Sequence, residues 1–98
     1  MSRMQMKGSV NFSKLSALKI LICSYNELSG LDVSNCTQLT ELYCYNNQLT
    51  SLDVSSNTYL FSLYCNSNQL TSLDVSNCSP LKILSYDEDK VTVTGWPR

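Results

Sequence analysis

Hydrophobic and polar residues alternate along this chain in short runs, and each run ends at an asparagine. In LYCYNNQL (residues 42–49), Leu42 and Cys44 stand two positions apart, and Asn47 follows three residues after the cysteine. The same arrangement returns in LDVSSN (residues 52–57). An apolar period of two is typical of a short β-strand with one face turned inward. Asparagine favours a turn at the end of such a strand, because its amide bonds nearby backbone groups and it tolerates a tight bend.

This arrangement recurs at a step of 21 residues, so the chain is read first as a repeat protein. With 98 residues it has the length of a single domain, residues 1–98. The predicted parts are a lead-in at residues 1–9, repeats at 10–30, 31–51, 52–72 and 73–93, and a cap at 94–98.

Equivalent positions of the repeats form columns of one residue type. The fourth repeat departs from the pattern, with Tyr86 in the cysteine column, Asp89 in the asparagine column and Val91 in a leucine column. The other members are Leu21, Leu42, Leu63 and Leu84; Cys23, Cys44 and Cys65; Asn26, Asn47 and Asn68; and Leu28, Leu49 and Leu70.

Each repeat is therefore predicted to form one coil of a solenoid: a strand, an asparagine turn, a second strand and a second turn. Stacked coils bring equivalent residues to about 4.8 Å from one another, so the strands join into parallel sheets. The asparagines then form ladders that satisfy buried backbone groups, and the leucines and cysteines fill the core. The predicted fold class is a mainly β repeat solenoid, with a parallel sheet on one face and short strands or turns on the opposite side.

The repeats carry the motif LxxLxCxxNxLTxLDVSxNTxL at Leu39–Leu60 and Leu60–Leu81, and more loosely at Leu18–Leu39. Over residues 10–91 the chain resembles the bacterial leucine-rich repeats of the 21-residue type found in internalin-like proteins. The resemblance implies a right-handed coil with a parallel sheet on its concave face. It also implies recognition of proteins, or sometimes of carbohydrates, and a secreted or cell-surface location if the chain is a fragment.

Residues between the inward positions are predicted to point outward along the concave sheet. These outward columns are Ile20, Glu41, Ser62 and Ile83; Ile22, Tyr43, Tyr64 and Ser85; and Ser24, Tyr45, Asn66 and Asp87. Exposed aromatic residues of this kind favour a contact surface. The predicted binding residues are Ile22, Tyr43, Tyr45, Tyr64 and Asn66. The alternative is that the rings only pack across strands and stabilise the sheet.

Two further columns contain residues that can bind metals. Asp32, Asp53 and Asp74 are predicted to stack on the other face, where serines solvate them, although carboxylates so placed are also a weak Ca²⁺ candidate. Cys36 and Cys78 share a column with Asn57. An odd number of cysteines, five, argues against a disulfide framework, and their spacing matches no zinc motif. We predict buried, reduced thiols and no metal or cofactor.

The composition argues against several function classes. The chain has no histidine, which removes the usual Ser-His and Cys-His pairs, and it has no glycine-rich phosphate loop. The acidic run 87–89 is interpreted as a solvated loop, so no enzyme is predicted. Between Ile20 and Leu81 there is no lysine or arginine, which argues against nucleic acid as a partner. The apolar stretch 17–23 is too short to insert into a membrane, and no signal peptide is visible at the N-terminus.

The two ends are predicted to close the solenoid. Met1, Met4 and Met6 fold over the first coil, residues 91–94 form an edge strand, and Trp96 covers the core. The chain is thus predicted to be a non-catalytic module that binds an unidentified protein through its concave sheet. The alternative is a self-assembling structural protein, a homo-oligomer whose copies meet through the tyrosine-bearing face or the solenoid ends.

Overall fold

The computed structural model describes residues 5–97, which form short parallel β-strands joined by turns. Across these residues no helical segment has the length and apolar character needed to cross a membrane. Met1, Met4 and Arg98, which belong to the predicted ends, lie outside the described residues. The strands are β1 (Lys7–Asn11), β2 (Ile20–Ile22), β3 (Glu27–Asp32), β4 (Glu41–Tyr43), β5 (Ser62–Tyr64), β6 (Ser72–Asp74), β7 (Ile83–Ser85) and β8 (Thr92–Thr94).

One face of the solenoid is a continuous four-stranded parallel sheet in the order β2-β4-β5-β7. Each strand pairs with its neighbour at a step of 21 residues, as in Leu21↔Leu42 and Leu42↔Leu63. The leucine at the centre of each strand points inward, and Leu42 and Leu63 are fully buried. Parallel strands stacked over about four turns confirm the predicted solenoid, and the repeat period sets its register.

The opposite face carries short strands and turns and no continuous sheet. It consists of two separate pairs, β1 with β3 and β6 with β8, while residues 52–54, at the start of the third coil, form no strand. An open cleft of about 440 Å³ separates residues 51–55 from residues 72–77. The flanking strands β1 and β8 pair with β3 and β6, and residues 52–54 between them have no strand partner. The short strands or turns predicted for this side of the solenoid are therefore confirmed.

The predicted asparagine ladder is confirmed by its hydrogen bonds. Asn47 donates from Nδ2 to the carbonyls of Cys23 (3.0 Å) and Cys44 (3.1 Å), and its Oδ1 accepts from the Leu28 amide (3.1 Å). Asn68 repeats this one coil further on. Asn26 accepts from the Met6 amide of the lead-in and donates to the Cys23 carbonyl of its own coil. Each amide thus joins two coils and satisfies backbone groups that face no water.

The tight bend lies one residue before each ladder asparagine, and not at the ladder asparagine itself. Tyr25, Asn46 and Ser67 all have φ of 58°, and Gln5 has 57°. This left-handed conformation turns the chain from the four-stranded sheet towards the back. It recurs in each of these coils although three different residues occupy the position in the repeats.

In the second turn of each coil, an asparagine amide and a cysteine thiol donate hydrogen bonds to equivalent backbone carbonyls. Asn57 donates from Nδ2 to the carbonyls of Val33 (3.0 Å) and Cys36 (2.9 Å). One coil later Cys78 donates from Sγ to the carbonyls of Val54 (3.6 Å) and Asn57 (3.5 Å). Because S–H is a weak donor, the cysteine makes longer and weaker bonds at the same place. The column therefore tolerates both residue types.

The ladder ends differently from the prediction, which put Asp89 in the last asparagine place. Asp89 is exposed, and Asp87 instead accepts from the backbone amides of Ser67 (3.0 and 2.9 Å) and Asn68 (3.4 Å). In the earlier coils the amide at the position of Ser67 donates to a backbone carbonyl of the next coil, and here the Asp87 carboxylate takes the place of that carbonyl. Within the described ends, Met6 and Trp96 pack against the core.

Candidate functional site

The predicted binding residues lie together on the outer surface of the four-stranded sheet. Ile22, Tyr43 and Tyr64 are the last residues of their strands and are direct neighbours in register. Tyr45 and Asn66 lie two residues further along the second and third coils, so they point the same way. We call these five residues the tyrosine patch. Their role in binding stays a prediction.

The tyrosine rings contact one another across the coils. Tyr43 and Tyr64 stack with ring centroids 5.0 Å apart and an interplanar angle of 20°. Tyr45 and Tyr64 approach to 6.4 Å at 59°. Pairs of this geometry contribute roughly 0.5–1.5 kcal/mol beyond the area they bury. Cross-strand packing of the rings therefore does occur, and it holds them in a fixed arrangement on the surface.

Polar groups at the edge of the patch are tied down as well. The Tyr43 hydroxyl donates to Glu41 Oε1 at 2.7 Å, and this bond to a carboxylate raises the pKa of Tyr43. The Ser85 hydroxyl donates to Asn66 Oδ1 at 2.9 Å. Asn66 and Ser85 line an open groove of about 400 Å³ together with the three tyrosine rings.

Tyr25 extends the aromatic surface into the first coil, where the sequence interpretation did not place it. Its ring packs edge-on against Tyr45, with centroids 5.3 Å apart and an interplanar angle of 79°, and it is 45% exposed. The residue sits in the left-handed turn beyond the strand. Its column contains the polar residues Asn46 and Ser67, and an aromatic residue among them was the available signal.

A second group of exposed apolar side chains precedes the strands of the same sheet. Tyr59 is 58% exposed and Phe61 is 45% exposed, and both come just before β5. They line a groove of about 440 Å³ together with Lys19 and Pro80 among others. The sequence interpretation missed them because it followed only the positions between the inward residues of each strand.

Two serines that were predicted to face outward are buried instead. Ser62 is 5% exposed, and Ser24 is fully buried. In register, Ser62 lies between the larger residues Glu41 and Ile83, and Ser24 occupies the column of Tyr45. A small side chain beside larger neighbours on a sheet loses its access to water even when it points outward. The prediction of exposure was wrong at these two positions.

The aspartates on the back are each engaged by a nearby serine. Asp32 and Asp74 accept from both the amide and the hydroxyl of the serine two residues on, and Asp53 accepts from the Ser55 amide. The predicted hydrogen bonds to these aspartates are therefore present, and they lower the pKa of all three carboxyl groups. Among residues 5–97, no three side chains of the metal-binding types group closely enough to hold an ion.

All five cysteines are buried and free, as predicted. Burial raises the pKa of Cys23 to about 11 and that of Cys65 to about 12, and it raises the pKa of Cys44 well above its ordinary value. Thiols held in the protonated form inside the coil are poor nucleophiles and poor metal ligands. The column acts as part of the core.

Comparison with known proteins places these features in context. A model of the family described as leucine-rich repeats (two copies) matches residues 16–57. Among solved structures, the chain is similar to the functional domain of InlJ from Listeria monocytogenes, which includes a cysteine ladder, with 25% identity and a TM-score of 0.54. The match covers 90% of this chain but only 27% of that one. No curated protein sequence matches the chain significantly.

Proposed function

Because this chain is a bacterial leucine-rich repeat protein with internalin-like repeats, we propose that it is a non-catalytic module that binds another protein through the tyrosine patch. Leucine-rich repeats generally mediate protein–protein interaction, and the fold typically serves as a scaffold for contacts. The choice of this face, and of protein as the ligand, is our proposal.

One observation carries the proposal: aromatic rings that pack against one another lie on the outer surface of the four-stranded sheet. Tyr43, Tyr45 and Tyr64 form one contact network and remain partly accessible to solvent. The core below is complete without them, since Leu42 and Leu63 are fully buried beneath the sheet. Tyrosine offers a large contact area at low cost in conformational entropy, and rings held in place before binding lower that cost further.

The test replaces the three tyrosines by serine together, as Tyr43→Ser, Tyr45→Ser and Tyr64→Ser, and compares partner capture by the variant and the unchanged chain. We expect proteins captured by the unchanged chain to be lost with the variant. Circular dichroism and a urea titration check that the variant still folds.

The matched control is Tyr59→Ser, which removes a tyrosine that is 58% exposed but lies outside the patch. This control is expected to retain the captured proteins. Equal capture by the triple variant and the unchanged chain would reject the patch as the binding surface.

A further inference from the structure

Carboxylates flank the tyrosine patch on two sides. On one side the Glu41 carboxylate accepts from the Tyr43 hydroxyl at 2.7 Å. On the other side Asp87 lies one coil on from Asn66 and accepts from the Ser67 amide at 3.0 and 2.9 Å. These bonds use only part of the acceptor capacity of each carboxylate. A group seated on the rings therefore meets negative charge from two directions.

The outward columns of the sheet contain no lysine or arginine, and their charged members are Glu41 and Asp87. The second and third coils, which carry the three rings of the patch, belong to a stretch from residue 20 to residue 81 without any cationic side chain. Groups of like charge are rejected at an interface, and groups of opposite charge are accepted. The patch therefore disfavours an acidic or phosphorylated group and favours a cation.

The lysines around this face lie outside those columns. Lys19 directly precedes β2 and Lys82 directly precedes β7, in the first and fourth coils. Three residues, or roughly 10 Å of extended chain, separate each of them from the column of Tyr43 and Tyr64. Lys90 lies beyond the turn that follows β7. Salt screens charges at about this distance, whereas the carboxylate bonded to the Tyr43 hydroxyl acts at contact distance.

The tyrosine rings themselves suit a cation. Tyr43 and Tyr64 are nearly parallel at 20°, and Tyr45 is inclined by 59° to Tyr64. All three rings are partly accessible to solvent. The face of an aromatic ring attracts a cation that lies within about 6 Å of the ring centre. A cation in the groove of about 400 Å³ can therefore contact rings in two orientations.

We propose that the protein partner places an arginine side chain in this groove. The inference rests on the proposed function and names the group that the tyrosine patch recognises. A guanidinium is planar and weakly hydrated, so it stacks on a tyrosine ring and still donates from its edge to the Glu41 carboxylate. A lysine ammonium is a strongly hydrated point charge and cannot stack in this way, so arginine is the preferred cation.

Nuclear magnetic resonance of the tyrosine ring protons tests the inference at low salt. The probes are three blocked tripeptides, acetyl-Gly-Arg-Gly-amide and the same peptide with lysine or glutamine at its centre. We expect the arginine peptide to shift the ring resonances of Tyr43, Tyr45 and Tyr64 along a saturating curve. The lysine peptide should bind more weakly, and the uncharged glutamine peptide should cause no saturating shift. Added salt should weaken the arginine peptide, because the contact is partly electrostatic.

Two pairs of variants separate the charge from the ring. Glu41→Gln removes the charge but keeps an oxygen that accepts from the Tyr43 hydroxyl, so it should weaken the arginine peptide roughly twofold to fivefold, as expected for an exposed ion pair. Its matched control is Asp53→Asn, which makes the same change of charge on the back and should leave binding unchanged. Tyr64→Phe keeps the ring face and should still bind, whereas Tyr64→Leu removes it and should abolish the saturating shift.

The outcomes distinguish this inference from the proposed function. The arginine contact is overturned if the arginine peptide causes no saturating shift, or if the glutamine peptide shifts the rings equally. Equal binding of the lysine peptide overturns the preference for a guanidinium, and unchanged binding to Glu41→Gln overturns the part assigned to that carboxylate. Capture of a protein that the triple tyrosine replacement abolishes, but that neither Glu41→Gln nor excess arginine peptide weakens, supports the proposed function and rejects the arginine contact.

Discussion

Replacement of Asn47 by alanine tests the ladder that joins the first and second coils. Asn47 is 8% exposed, and its amide makes three hydrogen bonds of 3.0–3.1 Å to backbone groups of Cys23, Cys44 and Leu28. Alanine removes all three. The two carbonyls and the amide then remain in the coil without this partner, which is the costly case because buried backbone groups need one.

The expected loss follows from the number of bonds. At roughly 0.5–1.5 kcal/mol for each net hydrogen bond, three bonds give about 3 kcal/mol of unfolding free energy. In a domain of this size, 1 kcal/mol shifts the melting temperature by roughly 4–8 °C, so the variant should melt roughly 12–24 °C lower. Unfolding in urea should show a lower midpoint with an unchanged slope, since the same surface is exposed on unfolding.

Gln48→Ala provides the matched control. Gln48 is the next residue of the same coil and its side chain is exposed, so its replacement should change the free energy by no more than about 0.5 kcal/mol. If Asn47→Ala and Gln48→Ala unfold at the same urea concentration, the ladder does not carry the stability assigned to it.

Four other measurements test the buried thiols and the turns. The thiols of the folded protein should resist labelling until the protein is denatured, and rapid labelling of the native state contradicts this. Burial raises the pKa of Cys23 and Cys65 from 9.0 to about 11 and 12, so the free energy of unfolding should keep its full value below pH 9 and fall as the pH rises above it. A free energy of unfolding that does not change at alkaline pH contradicts this second expectation. The free energy of unfolding of Asn57→Cys should stay within about 1 kcal/mol of that of the unchanged chain, since cysteine occupies this column in other coils and Asn57 Oδ1 has no hydrogen-bond partner among the described residues. A urea midpoint as low as that of Asn47→Ala would contradict this expectation. Gly95→Ala should lower the free energy of unfolding by more than about 1 kcal/mol, because φ is +86° and a Cβ would lie 2.6 Å from Ser76 Cα. An unchanged melting temperature would refute this prediction.

The tyrosine patch shows how far a column argument reaches. Alternation along a strand predicts which face a residue shares, and Tyr43 and Tyr64 are indeed neighbours in register. Alternation does not predict ring geometry, because the stacking of each ring depends on the rotamers of several neighbours at once. It also passes over Tyr25, which reaches Tyr45 only because a left-handed turn redirects the chain.

Burial of the small residues likewise depends on their neighbours. Ser24 and Ser62 have outward positions by sequence, yet both are buried in the structure. Exposure is a property of the surrounding surface, and a sequence column does not contain the size of the side chains packed beside it. The same holds for Asp87, whose carboxylate finds the amides of Ser67 and Asn68 only once the fourth coil is in place.

The sequence by itself determined the coil: its period of 21 residues, the inward leucines and cysteines, and the asparagine ladder. Each of these is repeated in every regular coil and is satisfied by contacts with the coil directly above or below. Tertiary structure decided the back of the molecule. LDVS occurs three times, at 31–34, 52–55 and 73–76, yet its LD residues lie in a strand in the first and last copies and not in the middle one. Identical residues differ in secondary structure here because a strand requires a partner at hydrogen-bonding distance. The strands β1 and β8 supply such partners only to the outer copies of the motif.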